Sequence, residues 1–141
     1  MIPSSLADYR SLLATTVAAW LCNAIFGVAC AAEPAKVMPL MTKDLAGVPG
    51  KEVVMLTVEY LPGGASMPHR HDANVFVYVL EGTLNMQVDG HDPVTLKPGD
   101  TFYEGLDDIH RVSANASKTD PVKFLVLMVK DKGKPASRPV D

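Results

Sequence analysis

Apolar and polar residues alternate along much of the chain after residue 50, with the period of two that is typical of β-strands. Branched apolar residues alternate with polar ones between Glu52 and Leu61, and a second long strand is predicted from Val122 to Val129. The stretch from Val75 to Leu80 is apolar at every position, which predicts a central strand buried on both faces. Turn signals such as Asp89-Gly90 separate these segments.

Many short strands, with no helical period after residue 32, predict an all-β sandwich or barrel. Strand spacing alone does not distinguish the two architectures. A length of 141 residues, of which 48% are hydrophobic, predicts one domain with a single core.

The first 32 residues have the composition of a secretory signal peptide. Arg10 precedes a nearly uncharged segment, residues 11–32, which ends in small residues before Glu33. A basic start, an apolar middle and a small-residue end predict cleavage after Ala32 and a secreted or periplasmic protein. The apolar segment is also long enough to span a bilayer, so an uncleaved membrane anchor is the alternative.

Removal of the predicted signal peptide, residues 1–32, changes the chemistry that is available. Both cysteines, Cys22 and Cys30, leave with it, which suits an oxidising compartment and excludes disulfides, cysteine nucleophiles and thiolate ligands. The leader carries one acid and one base, so the net charge of −3 belongs to the rest of the chain. That part has no basic cluster, which argues against nucleic acid as a partner.

The segments on either side of the predicted barrel, residues 51–130, differ from it in composition. Residues 33–50 are rich in Pro, Ala and Gly and predict an extended arm. Residues 131–141 are charged and contain proline, which predicts a flexible tail. Because the arm is apolar, we expect the protein to be a homodimer.

Two segments carry the candidate chemistry. His69 and His71 stand just before the apolar strand, and on an extended backbone both imidazoles point the same way, at a spacing that suits one metal ion. About forty residues later, a turn at Pro98-Gly99-Asp100 leads through a short aromatic strand to His110. In a closed β-structure His110 can reach the first pair from another strand.

These segments resemble the two motifs of the cupin superfamily. The residues that match the first motif in type and spacing are Gly63, His69, His71 and Gly82, and those that match the second are Gly99, Asp100, His110 and Asn115. Val75 stands where the first motif has glutamate, and Gly105 and Asp107 stand where the second has proline and glycine. The resemblance covers roughly residues 53–129. It implies the cupin double-stranded β-helix, a jelly-roll barrel whose interior holds a metal in related proteins.

The resemblance assigns His69, His71 and His110 as ligands of one divalent transition metal. Imidazole suits Fe, Zn, Cu and Ni, and three neutral ligands leave the full double charge of the ion available to polarise a substrate or water. With Val75 in place of the glutamate, Mn is less expected, because Mn favours oxygen ligands. Asn74 and Glu104 are the nearby candidates to replace the missing group.

Glu104 is the candidate fourth ligand or general base. A carboxylate turned into a barrel needs a metal or a hydrogen-bond donor beside it, whereas a carboxylate on the outer face is only a solvated acid. Tyr78 and Tyr103 are candidate hydrogen-bond donors to a substrate, with packing between the sheets as the alternative. Arg111 follows His110 and faces the other way on a strand, so we expect it to pair with an acid.

Together with the predicted signal peptide, the resemblance implies an exported metal-binding cupin that acts on a small organic molecule. By analogy with related three-histidine barrels, a dioxygenase-like activity is the first hypothesis. A metal-dependent isomerase or lyase, which needs no redox change, is the second. The third is a module that binds a ligand or metal without turnover, and an inward-facing Glu104 would count against it.

Overall fold

A computed structural model describes residues 35–140. The predicted signal peptide, residues 1–32, lies outside this range. Between residues 35 and 140, no helix has the length and apolar character needed to cross a membrane.

The described chain folds into ten strands that form two five-stranded antiparallel sheets. The strands are β1 (Lys36–Asp44), β2 (Lys51–Tyr60), β3 (His69–Arg70), β4 (Ala73–Glu81), β5 (Leu84–Val88), β6 (Val94–Leu96), β7 (Thr101–Glu104), β8 (Ile109–Asn115), β9 (Val122–Asp131) and β10 (Arg138–Pro139). The first sheet has the order β1-β2-β9-β4-β7, and the second has the order β10-β3-β8-β5-β6. The predicted all-β jelly-roll fold is confirmed.

The hydrophobic core lies between the two sheets. Successive side chains of a strand alternate between faces, so every second residue of a strand that borders the core is buried. The buried residues that form the core on β4, β5 and β9 are Ala73, Val75, Val77, Val79, Leu84, Met86, Val122, Phe124, Val126 and Met128. The alternation predicted for β2 and β9 is therefore the feature that orients both strands.

Gly82, the last residue of the first motif, has a backbone that only glycine adopts easily. Its φ is +76°, and a Cβ atom at this position would lie 2.4 Å from the carbonyl oxygen of Pro121. An L side chain would be strained by the backbone and blocked by its neighbour. The glycine thus allows the turn between β4 and β5 to pack against the start of β9.

The sequence predicts that strand β4 is buried on both faces, but only one face is buried in the structure. It has neighbours on both sides, β9 and β7, but Phe76, Tyr78 and Leu80 point away from the second sheet and are 48%, 44% and 39% exposed. The second sheet covers only one face of the first. The apolar outer residues of β4 therefore form part of an exposed surface.

Both segments that flank the predicted barrel join the sheets. Residues 36–44 of the predicted arm form the edge strand β1 beside β2, and all nine are exposed. In the tail, Arg138 and Pro139 pair with β3. The prediction of a flexible tail is wrong for these two residues, because the free edge of β3 accepts them and Arg138 forms an ion pair with Asp72.

A buried ion pair fixes the chain just before the tail. Glu52 and Lys130 are cross-strand partners on β2 and β9, with Lys130 Nζ 2.5 Å from Glu52 Oε1. Lys130 also donates to the carbonyl oxygens of Asp131 and Lys134, and the Gly133 N–H donates to Glu52. The hydrogen bond from Lys130 holds the pKa of Glu52 below its ordinary value. These bonds anchor the turn from which the tail departs.

Candidate metal centre

Three histidines from two parts of the chain converge. Strand β3 pairs with β8 so that His69 and His110 are directly opposite, and His71 follows β3. One nitrogen of each ring lies within 4.8 Å of one nitrogen of both others. The structure therefore brings together the three residues that the motif spacing predicts as ligands.

Backbone carbonyl groups fix the orientation of two of these rings. Nδ1–H of His69 donates to the carbonyl oxygen of Met67 at 2.8 Å, and Nδ1–H of His71 donates to that of Ala136 at 2.6 Å. A ring that donates from Nδ1 carries its free lone pair on Nε2. The lone pairs of both Nε2 atoms are therefore available to a metal ion, as in many histidine ligands that a carbonyl group orients.

The distance between the two lone pairs fits two ligands of one ion. Nε2 of His69 and Nε2 of His71 lie 3.1 Å apart, and neither has a proton to donate to the other. Two imidazole nitrogens bound at about 2.1 Å to one ion, about 95° apart, are separated by roughly the same distance. A cation between the rings turns a repulsive contact into a favourable one.

The protonation of His69 also suits a metal ligand. Burial lowers the pKa of His69 below its ordinary value, and the neighbouring His71 and His110 act in the same direction, against the hydrogen bond to Met67 and the charge of Glu104. The ring is therefore neutral near pH 7. A histidine must be neutral to coordinate a metal.

Glu104 faces inward and is only 2% exposed. Its Oε2 atom lies 3.2 Å from Nδ1 of His110 and 3.9 Å from Nε2 of His71. The shorter contact lacks the alignment of a hydrogen bond, so neither this oxygen nor either ring nitrogen of His110 has a hydrogen-bond partner among residues 35–140. Buried polar atoms of this kind are costly unless they share a cation or a proton.

The donor set of three imidazoles and one carboxylate fits a divalent transition metal. The expectation that Mn binds less well rested on the glutamate that Val75 replaces. The inward orientation of Glu104 removes that reason, because a negative oxygen donor is present beside the histidines. Fe, Zn, Cu, Ni and Mn are all compatible with this centre.

A cavity of about 390 Å³ extends from the histidines into the space between the sheets. This volume lies within the range of small-molecule sites, about 300–1,000 Å³. Its walls are largely apolar and include Leu56, Val58, Val75, Val77, Phe124 and Val126. Glu104 and the three histidines form part of the same wall, so a small molecule in the cavity lies next to the candidate centre.

The sequence profile of the cupin domain matches residues 56–128. The chain belongs to the cupin family. The matched segment contains all three histidines and Glu104, so the predicted family assignment is confirmed.

Solved cupin-fold structures of different activities resemble this cupin. An oxalate oxidase in complex with the substrate analogue glycolate is 25% identical, with a TM-score of 0.57 over 74% of this chain and 54% of that chain. The polyketide cyclase RemF from Streptomyces resistomycificus is 22% identical, with a TM-score of 0.59 over 78% of this chain and 73% of that chain. The DMSP lyase DddQ from Ruegeria pomeroyi DSS-3 is 23% identical, with a TM-score of 0.53 over 61% of this chain and 42% of that chain.

These likenesses establish the fold and do not select an activity. This cupin spans about half the length of the oxidase and lyase chains that it matches. No sequence among the curated proteins matches it.

The cavity also contains hydroxyl groups that sequence reasoning missed. The hydroxyl groups of Tyr60 and Ser113 lie 2.9 Å apart in the cavity wall, and the buried hydroxyl of Ser66 has no hydrogen-bond partner among the described residues. Counting in twos from His110 places Ser113 on the opposite face of β8. A bulge at this point, opposite Gln87 and Val88, turns Ser113 inward instead.

The structure separates the other predicted site residues from the cavity. Tyr78 and Tyr103 are on the outer face of the first sheet and do not line the cavity. Tyr78, a predicted hydrogen-bond donor to a substrate, therefore does not reach this cavity: Val75 and Val77 face inward, so alternation turns Tyr78 outward. Asn74 also faces outward and accepts a hydrogen bond from the Tyr103 hydroxyl, 2.7 Å away. Packing between the sheets is excluded for both tyrosines.

Arg111 pairs with an acid, as its position after His110 predicts. Its guanidinium donates to Oδ2 of Asp89 at 2.7 Å, on the outer side of the second sheet. This hydrogen bond and charge lower the pKa of Asp89 below its ordinary value. Arg111 is therefore no part of the cavity.

Proposed function

We propose that this cupin is a metal-dependent enzyme that acts on a small organic molecule, with dioxygenase-like chemistry as the first class. The observation that carries the proposal is the buried carboxylate of Glu104 beside three histidines in a cavity wall. A module that only holds an apolar ligand gains nothing from such a group, because burying an unpaired carboxylate costs stability. A buried polar group without a hydrogen-bond partner calls for an explanation, and a bound ion or a catalytic role provides one here.

Each part of the cavity has a role in this proposal. His69, His71 and His110 hold the ion, which supplies Lewis acidity and, as Fe or Cu, electron transfer with dioxygen. Glu104 either completes the ligand set or takes a proton from the substrate. The apolar walls exclude water from the reacting molecule.

An isomerase or lyase is the second candidate, and the position of Glu104 favours it. Its Oε2 atom lies 3.9 Å from Nε2 of His71, close enough to the centre to move a proton on a molecule held there. Such a reaction needs a Lewis acid and a base but no redox change. Oxygen consumption and the identity of the metal distinguish the two classes: Fe or Cu with oxygen uptake supports the first, and Zn or Ni without it supports the second.

The composition of residues 1–32 supports a location outside the cytoplasm. We propose that the protein is secreted or periplasmic and that its leader is cleaved after Ala32. Intact mass spectrometry of the protein recovered from the culture medium or periplasm tests this, since a cleaved chain begins at Glu33.

The proposed function is tested first by elemental analysis of the purified protein. We expect about one transition-metal ion per chain, which the double variant His69→Ala/His71→Ala loses. His91→Ala is the matched control, because His91 is the one histidine of the four that lies outside the cluster, exposed in a turn. A protein that holds no metal even after reconstitution, or a double variant that keeps it, contradicts the proposal.

Glu104→Gln then separates catalysis from binding. Retained metal with lost turnover identifies Glu104 as the base, whereas lost metal identifies it as a ligand. Unchanged metal content and unchanged turnover leave Glu104 without a role.

A further inference from the structure

The residues after the anchored turn form part of the wall of the cavity. We call residues 135–139 the C-terminal strap. Its last two residues, Arg138 and Pro139, form β10 and pair with Arg70 and His69 of β3. Ala136, Ser137, Arg138 and Pro139 all line the cavity. The strap therefore lines the same cavity as the three histidines of the candidate centre.

The strap also orients one of the candidate ligands. The carbonyl oxygen of Ala136 accepts the hydrogen bond from Nδ1 of His71, across 65 residues of sequence. His69 donates the equivalent bond to the carbonyl oxygen of Met67, only two residues away. The orientation of His69 is thus set locally, whereas that of His71 depends on the strap.

Besides the pairing with β3 and the bond to His71, an exposed ion pair holds the strap. Arg138 Nε donates to both carboxylate oxygens of Asp72 at 3.0 and 3.1 Å, and a terminal nitrogen of the same guanidinium is 3.0 Å from Oδ1. Both side chains are nearly half exposed, so the pair is weak and reversible. The base of the strap is instead fixed by the buried pair of Glu52 and Lys130.

We propose that the C-terminal strap is a lid and that Arg138 is its latch and a positioning residue for His71. Opening the strap uncovers the cavity and at the same time releases the Ala136 carbonyl group from His71. Access to the cavity and the strength of metal binding are then linked, because one movement changes both. This inference rests on the proposed metal site for its effect on affinity, but not for its effect on the His71 ring.

Charge reversal at the latch tests the inference in the full chain. Arg138→Glu and Asp72→Arg each place like charges together, and the double variant Asp72→Arg/Arg138→Glu restores an opposite pair. We expect each single variant to weaken Zn²⁺ binding by about 10- to 100-fold, as loss of a group that orients a metal ligand does, and the double variant to recover most of it. Competition with a chelator measures the affinity. Lys132→Glu, at the exposed pair with Asp44, is the control.

The ¹⁵N chemical shifts of the His71 ring give a readout that needs no metal. In the metal-free protein we expect a ring protonated at Nδ1 in the wild type and in the double variant, and a mixture of tautomers in each single variant. Single variants that keep both the wild-type ring shifts and the wild-type Zn²⁺ affinity overturn the inference. A wild-type protein that fails to bind Zn²⁺ but shows the ring shifts as expected contradicts the proposed function and leaves the lid supported.

A separate observation concerns the outer face of the first sheet. One row of side chains across its five strands is apolar throughout: Met41, Met55, Leu127, Phe76 and Tyr103. Phe76 and Tyr103 are 48% and 52% exposed. An exposed apolar surface that crosses a whole sheet is typical of an interface.

The charges beside this row identify the partner. At one end of the same face, Lys36, Glu59, Lys123 and Glu81 stand side by side on β1, β2, β9 and β4, with alternating sign. A two-fold axis parallel to the strands, between β2 and β9, reverses this order. Lys36 then faces Glu81 of the partner subunit, and Met41 faces Phe76 of the partner subunit. The row is complementary to its own copy, as a symmetric dimer requires.

The geometry points to a homodimer in which two copies of this outer face stack as aligned sheets. Sedimentation velocity of the purified protein at micromolar concentration tests it. We expect a dimer, a dissociation constant about tenfold higher in Lys36→Glu and in Glu81→Lys, and recovery in the double variant, because that variant again pairs opposite charges. A monomeric wild type, or single variants with unchanged affinity, overturns this arrangement.

Discussion

Val75 on β4 and Glu104 on β7 are directly opposite each other in the first sheet. Side chains at opposed positions of antiparallel strands point to the same face. Both residues line the cavity, and they are 1% and 2% exposed. This chain has Val75 where the first cupin motif has glutamate, and a carboxylate lies directly beside that position on the neighbouring strand.

This relationship predicts that a carboxylate at position 75 can replace the one at position 104 in metal binding. We expect Glu104→Ala to weaken metal binding by about 10-fold or more, and the double variant Val75→Glu/Glu104→Ala to recover most of the loss. A chelator competition titration measures both. Full affinity in Glu104→Ala, or a folded double variant no better than the single one, would contradict the idea that the two positions serve one centre.

The sequence predicts the candidate ligands better than it predicts the direction of Glu104. His69, His71 and His110 occur at recognisable spacings. Local alternation is enough to place β2 and β9, and a continuous apolar run places β4. The direction of Glu104 depends on how β7 pairs with β4, which is a contact between strands more than twenty residues apart. No local pattern contains that register.

Two wrong predictions have related physical causes. Both faces of β4 are apolar, so the sequence does not reveal which of them faces the second sheet, and it leaves Tyr78 as a candidate for the interior. The tail has the charged composition of a mobile segment, but its composition does not show the free edge of β3 or the side chain of Asp72. Both surfaces exist only in the folded chain.

The buried hydroxyl pair in the cavity predicts a non-additive effect on stability. Tyr60→Phe leaves the Ser113 hydroxyl without its partner, and Ser113→Ala does the same to Tyr60. We expect each single variant to lower the free energy of unfolding by about 1–3 kcal/mol, and the double variant to cost less than the sum. Urea unfolding of the four proteins completes the cycle. Strict additivity would show that the two hydroxyl groups do not interact.

Replacing Gly82 should destabilise the protein more than replacing Gly90, which has a similar φ but no close neighbour. Gly82→Ala combines a strained φ of +76° with a Cβ atom 2.4 Å from the Pro121 carbonyl oxygen. At Gly90 the φ is +78° and no atom lies within 4 Å of the added Cβ. We expect about 1 kcal/mol for Gly90→Ala and at least about 2 kcal/mol more for Gly82→Ala. Equal losses in thermal unfolding would mean that the close contact relaxes without cost.

The ion pair of Glu52 and Lys130 predicts how stability changes in acid. The Lys130 hydrogen bond lowers the pKa of Glu52 in the folded protein, so the unfolded chain binds the proton more tightly. The stabilisation is therefore complete above the ordinary pKa of 4.5 and is lost as the pH falls through the lower folded value. Glu52→Gln has no such group to titrate.

We expect the wild type to exceed Glu52→Gln in free energy of unfolding near pH 7, and the difference to shrink below pH 4.5. Denaturant titrations of both proteins between pH 7 and pH 3 measure it. Other carboxylates with lowered pKa values, such as Asp89 and Asp131, are present in both proteins. Their contribution to the free energy of unfolding therefore cancels when the two curves are subtracted. A difference that stays constant across this range would show that the buried pair does not stabilise the base of the strap through the charge of Glu52.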